Sequence, residues 1–126
     1  MLSAPSDYAA KRYKKSKHKK KIRKDYTTFR HQWMLWCVWQ KCLGSKSCRS
    51  HLLSMPDETM IVEVVKNDPI WAAEEDAQTG CLCGANAVGK ILTYCRQCLK
   101  EAAQPAIDTA LLNHVGVYIL GERVQF

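Results

Sequence analysis

The stretch "GCLCGANAVGKILTYCRQCL", Gly80 to Leu99, sets four cysteines around a glycine-framed turn that ends in lysine. Three chemistries compete for it. Tetrahedral zinc takes four soft ligands, commonly from two C-x2-C knuckles. "CRQC" has that spacing, whereas "CLCG" has one residue between its sulfurs. The zinc set would be Cys81, Cys83, Cys95 and Cys98, and a looser second set is Cys37, Cys42, Cys48 and His51. A phosphate loop is the next reading, because "GANAVGK", Gly84 to Lys90, fits G-x4-G-K. Ile91 stands where Ser or Thr must hold Mg²⁺, and no hydrophobic strand runs into Gly84, so a nucleotide triphosphatase is disfavoured. A helix N-terminus there could still receive a phosphate without the metal. The third reading makes the stretch one wall of a pocket.

A second chemical feature is charge. Residues 1–51 hold 14 Lys/Arg against Asp7 and Asp25, net +12, while residues 52–126 hold 5 against 10 acids, net −5. Eleven of the cations fall within residues 11–30, and "KRYKKSKHKKKIRK" spans 11–24. Such an arm is either a solvated loop or nuclear localisation signal, or a set of phosphate contacts. On the second reading it binds DNA or RNA with strong salt dependence and little sequence preference, since it offers point charges and few base-reading groups.

The elements that must position these groups follow from periodicity. "DYTTFRHQWMLWCVWQKC" reads as a helix capped by Asp25 or Thr27. Phe29, Trp33, Trp36 and Gln40 form one stripe and Met34, Val38 and Cys42 an adjacent one, so this helix should be central and buried. "LGSKSCRSHLLSMPDE" predicts a Gly/Ser loop and a short helix that ends at a Pro-Asp turn. "TMIVEVV", residues 59–65, is rich in β-branched residues and predicts a strand. Residues 66–84 predict a long loop, usually functional in a small domain. "NAVGKILTYCRQCLKEAA" predicts a helix, "AIDTALLNH" another, and "VGVYIL-GE-RVQF" a hairpin turning at Gly121-Glu122. The expected class is α+β, with a mostly helical core, a short sheet and a C-terminal hairpin.

The chain has 126 residues, 47% hydrophobic and 25% charged, which suits one soluble domain. No run of about 18 apolar residues predicts a membrane span, and no apolar stretch follows the early charges as in a secretory signal. Seven cysteines, an odd number, argue for free thiols in a reducing compartment. The cytoplasm is expected, or the nucleus in a eukaryote.

The order of these segments resembles the NADAR family. "SDYAAKR" is similar to its S-P-x-x-A-K-R helix, and "RKDYTTFRHQWMLWCVWQK" to its R-x-x-W-x-x-V-R-x-x-x-M-x-x-A-L-x-x-K helix. "LLSMPDETMIVEVVKNDPIW" is similar to its L-L-A-T-G-D…L-V-E…D-x-x-W segment, and "GANAVGKIL" to its G-x-N-x-x-G-K-x-L helix start. The likeness runs over residues 3–99, so the expected organisation is a NADAR-like domain at 1–99 and an extension at 100–126. NADAR proteins are small α+β N-glycosidases that cleave a ribose C1–N bond, in ADP-ribosylated guanine or in phosphoribosylated pyrimidine intermediates of riboflavin synthesis. The resemblance implies such a nucleotide substrate, no cofactor and no metal. It makes Asp68 the catalytic carboxylate, steadying the oxocarbenium character that builds at C1 and steering water. Trp71 and Tyr26 become aromatic walls, and Lys11, Arg12, Gly84, Asn86, Gly89 and Lys90 the holders of phosphate and ribose.

Three residues depart from the pattern: Tyr26 stands for the family tryptophan, and Lys14 and Ala72 for glycines. The likeness also starts downstream of the family's F-x-N-F segment and its T-x-E-H helix, whose glutamate belongs to the catalytic set. The expectation is therefore a glycosidase completed by a partner segment. The alternative is a catalytically inactive basic module for nucleic acid, with or without a zinc staple.

Overall fold

The computed structural model describes residues 22–126, and Lys11, Arg12 and Lys14 lie outside them. Among the described residues, four helices and two short antiparallel sheets make the α+β class expected. In chain order they are α1 (Tyr26–Gly44), α2 (Lys46–Ser54), β1 (Glu74–Glu75), β2 (Leu82–Cys83), α3 (Ala87–Lys100), α4 (Thr109–Val115), β3 (Tyr118–Ile119) and β4 (Glu122–Arg123). Strand β1 pairs with β2, and β3 with β4.

Helix α1 is central, as its pattern predicts, but the stripe that goes deepest is Leu35, Trp39 and Cys42. These positions pack with Leu52 of α2 and with Cys95 and Cys98 of α3 to form one core. Phe29 looks the other way, onto Leu112 and Val117, in a second core. Trp33 and Trp36 stack there at 5.3 Å between centroids, and Phe126 meets both edge-on. Ile107 touches both cores, so the C-terminal extension is packed into the same molecule as α1.

The caps explain where the helices stop. Asp25 sits at the α1 N-cap but gives no side-chain cap. Its carboxylate takes Arg23 Nε and Nη2 at 2.9 and 2.8 Å instead. Those bonds outweigh an opposing desolvation and hold Asp25 below the usual carboxylate range. Arg23 also donates to the Val115 and Gly116 carbonyls, placing a cation on the C-terminal end of α4. The loop expected between α1 and α2 shrinks to Ser45. Its backbone N–H goes back to Lys41 O, while its hydroxyl accepts Cys48 N at 3.2 Å. Arg49 takes up the leftover Cys42 and Leu43 carbonyls of α1.

The strand expected at 59–65 does not form. Val64 makes one parallel bridge, to Ala73, and the rest of the stretch joins no sheet. Met60 and Val64 are exposed, and of the run only Ile61 packs against the core, so no alternating buried face forms. A strand needs a partner ladder, and here Ala73 supplies two backbone hydrogen bonds and a side chain the rest. Asn86 Oδ1 accepts Glu63 N at 3.0 Å while its Nδ2 donates to Ile61 O at 2.9 Å, as a neighbouring strand would. Asn86 also holds a left-handed backbone, φ 51°, which asparagine tolerates better than most residues. Asn86→Ala should therefore cost about 2–3 kcal/mol: two hydrogen bonds at about 1 kcal/mol each, plus part of the left-handed penalty. Chemical denaturation followed by circular dichroism checks this, and a loss below about 1 kcal/mol would disprove the clamp.

The loop at 66–84 holds the β1–β2 pair, with Asp76 Oδ1 accepting Gln78 N and Thr79 N in its turn. The C-terminal hairpin forms, one residue out of the expected register. Ile119 pairs with Glu122, so Leu120 and Gly121 make the turn, at φ +54° and +79°. A two-residue turn with both φ positive is the type whose second position suits glycine, which puts Gly121 second and not first.

A candidate functional site between α1 and α3

Tyr26, Arg30 and His31 stand on the first turns of α1. Asp68 opens a tight turn in which Ala72 N donates to Asp68 O at 3.0 Å and Trp71 N to Asp68 Oδ1 at 3.3 Å. That turn then plugs the start of α3. The N–H groups of Ala85, Asn86, Ala87 and Val88 donate to the carbonyls of Pro69, Ala72, Ile70 and Trp71, at 2.7–3.1 Å. Asp68 and Trp71 are thus fixed against α3 by backbone alone. The price is paid at the phosphate loop: these four N–H groups are spent on carbonyls, so they form no open anion cradle.

The other loop residues are structural as well. Gly84 has φ +145°, and a Cβ there would lie 2.5 Å from Ala72 O. Gly89 is where α3 runs against Ile61 O and the Asn86 amide, with no room for a methyl group. Of the four residues assigned to phosphate and ribose among the described residues, only Lys90 offers an exposed polar end to a cavity. Gly84, Asn86 and Gly89 do not line it, and Tyr26, expected as an aromatic wall, packs against the second core.

That cavity, about 330 Å³, lies between α1 and α3 and is lined by His31, Gln32, Leu35, Lys90, Ile91 and Tyr94, with Ala85 and Ala87. The His31 ring packs on Trp71, 5.1 Å between centroids and tilted by 43°, so Trp71 sits at its edge. Asp68 and Arg30 both act on the Tyr26 phenol. Burial raises the Tyr26 pKa first, Arg30 opposes the rise, and Asp68 adds to it. Arg30 Nε is buried with no hydrogen-bond partner. A guanidinium nitrogen left so is costly unless something polar reaches it.

Sequence reading missed Arg30, His31, Gln32 and Tyr94. Arg30 follows Tyr26 by one helical turn, a signal that was available. Tyr94 was not readable, since its hydroxyl accepts Ala106 N at 2.7 Å from the C-terminal extension. Gln32 Oε1 likewise accepts Asp108 N at 2.7 Å. Residues 106–108 therefore brace two of the cavity's polar side chains.

The cysteines divide differently from either expected set. Cys81 and Cys83 are exposed at the β1–β2 hairpin, while Cys95 and Cys98 are buried under α1. Cys37 is only half-buried on α1 and His51 is exposed on α2. The zinc set Cys81, Cys83, Cys95 and Cys98 is not brought together. Among the described residues no three His, Cys, Asp or Glu side chains stand so as to hold a metal ion. Burial above all pushes the Cys95 thiol up to about 12 and Cys42 and Cys37 to about 11. No helix among the described residues is long and apolar enough to cross a membrane.

Set beside protein-family models, curated proteins and solved structures, the chain finds no match.

Proposed function

We propose that the cavity between α1 and α3 receives one ribosyl unit of a nucleotide, and that the chain serves as an N-glycosidase of the NADAR kind on a ribose C1–N bond. The observation that carries this reading is convergence. Three segments meet there: His31 of α1 and Lys90 of α3 line the cavity, Trp71 of the Asp68 turn packs its ring on His31, and Asp68 acts on the Tyr26 phenol of α1. Asp68 supplies the carboxylate that steadies positive charge at C1, Trp71 with His31 supplies an aromatic wall, and Lys90 meets a phosphate. A volume of about 330 Å³ is at the small end of ligand sites and suits a ribosyl group with part of its base.

Calorimetric titration with ADP-ribose and with ribose 5-phosphate tests the pocket. Both should bind, and Lys90→Ala should weaken each about tenfold, the size of one charge-assisted contact. No heat from either ligand at millimolar concentration would remove the proposal. Binding of both without turnover on any ribosyl substrate, even with a polypeptide bearing the T-x-E-H helix added, would leave the alternative, a binding module.

A further inference from the structure

Four of the seven thiols meet where α1, α2 and α3 join: Cys42, Cys95 and Cys98 in the core, and Cys48 packed against it. Cys42 interacts with both Cys48 and Cys95, and its contact with Cys48 leads toward solvent. Cys42 Sγ and Cys48 Sγ lie 3.9 Å apart. Cys42 is fully buried, whereas Cys48, on the first turn of α2, is half-buried and reaches solvent. Between them runs the one-residue joint at Ser45, preceded by Gly44, where a Cβ would meet nothing within 4 Å.

We propose that Cys42 and Cys48 form a reversible dithiol–disulfide couple, a modification site that oxidation enters through Cys48. A disulfide needs its sulfurs about 2.0 Å apart, so they must close by about 1.9 Å. The joint at Gly44–Ser45 is the place to absorb that movement, because nothing packs against Gly44. The ring closed would hold few residues and take little entropy from the unfolded chain, so the bond stays easily reduced.

The chemistry is exchange with a low-molecular-weight disulfide, R–S–S–R. The Cys48 thiolate attacks one sulfur, the Cys48–S–S–R bond forms and RS⁻ leaves. Cys42, its proton released to water, then attacks the Cys48 sulfur. The Cys42–Cys48 bond forms and the second RS⁻ leaves. The two protein thiols lose two electrons and two protons, and the external disulfide becomes two thiols. Exposed Cys81 and Cys83 compete for the same reagent without lying in the core, which sets the background to remove.

The experiment uses the full chain carrying Cys81→Ser and Cys83→Ser, equilibrated over a series of oxidised-to-reduced glutathione ratios. The reaction is quenched with acid, remaining thiols are alkylated, and peptides are mapped by mass spectrometry. The expected result is a Cys42–Cys48 linked peptide, two hydrogens lighter than the reduced one, that disappears on adding dithiothreitol. Adding Cys48→Ser should abolish the linked peptide and leave Cys42 unmodified. Should that variant fail to fold, the linked peptide in the Cys48-containing protein still decides. Several outcomes overturn the proposal: Cys42 and Cys48 both free under excess oxidised glutathione, Cys48 stopping at a mixed disulfide, Cys42 joined to Cys95 instead, or stoichiometric zinc shielding all four thiols.

Discussion

Gly84→Ala is expected to lose about 3–5 kcal/mol of folding stability, enough to leave a domain of ordinary stability barely folded at 25 °C. Two costs combine. The new Cβ would lie 2.5 Å from Ala72 O and 2.9 Å from Ala73 Cα, both backbone atoms of the turn that carries Asp68 and Trp71. Overpacking of this kind costs about 1–3 kcal/mol, and relief would require moving the turn off α3. The backbone φ of +145° adds a penalty of about 1–3 kcal/mol that no rearrangement of side chains removes. Gly89→Ala should approach the same loss by sterics alone, against Ile61 O and the Asn86 amide. Gly44→Ala is the internal control, with open space around its Cβ, and should be neutral or gain up to about 1 kcal/mol. Urea denaturation of the three variants measures this. Gly84→Ala within about 1 kcal/mol of the parent would mean that the turn is not seated as described.

That result bears on what the sequence made legible. The glycines of "GANAVGK" fit a phosphate loop by pattern, and their pattern is real. The physical reason for it is backbone contact between α3, the Asp68 turn and the extended segment at 61–63. A sequence shows that small residues recur, not whether a ligand or the chain's own carbonyl fills the space. Helices α1 and α3 were readable because each has a long 3.6-residue period, and the C-terminal hairpin because Gly121 forces a tight turn. The strand at 59–65 was misread for the opposite reason. β-Branched residues record a preference for extended backbone, while a sheet needs a partner that lies elsewhere in the chain. In this molecule the partners are the Ala73 backbone and the Asn86 amide.

The site divides along the same line. Asp68 and Trp71 share one short turn, so their association was visible locally. Lys90 facing His31 and Gln32 depends on how α3 crosses α1, and the bracing of Tyr94 and Gln32 by residues 106–108 depends on the return of the C-terminal segment. The basic arm at 11–24 lies mostly outside the described residues, and its expected polyanion contact rests on charge alone.

Asp68→Asn should abolish turnover while leaving the fold intact, and the geometry makes this a clean substitution. Asparagine keeps an Oδ1 that can accept Trp71 N–H, so the turn at the start of α3 is preserved. Only the negative charge is lost. An independent readout verifies that this has happened: with the Asp68 charge gone, the Tyr26 phenol should titrate at lower pH, since Asp68 raises it. The reaction needs that charge because departure of the base leaves positive character at C1, and a positioned acid–base group contributes about 10²–10⁴-fold in rate. The resemblance assigns the second carboxylate to a T-x-E-H helix, so the present chain alone should turn over ADP-ribosylated guanine or phosphoribosyl-pyrimidine substrates very slowly. A polypeptide bearing that helix should raise the rate, and Asp68→Asn should then cancel the gain by a factor of about 10²–10⁴. Chromatographic detection of the released base measures both steps. Fast turnover by the isolated chain that survives Asp68→Asn, with the Tyr26 titration shifted as expected, would move the chemistry away from Asp68 altogether.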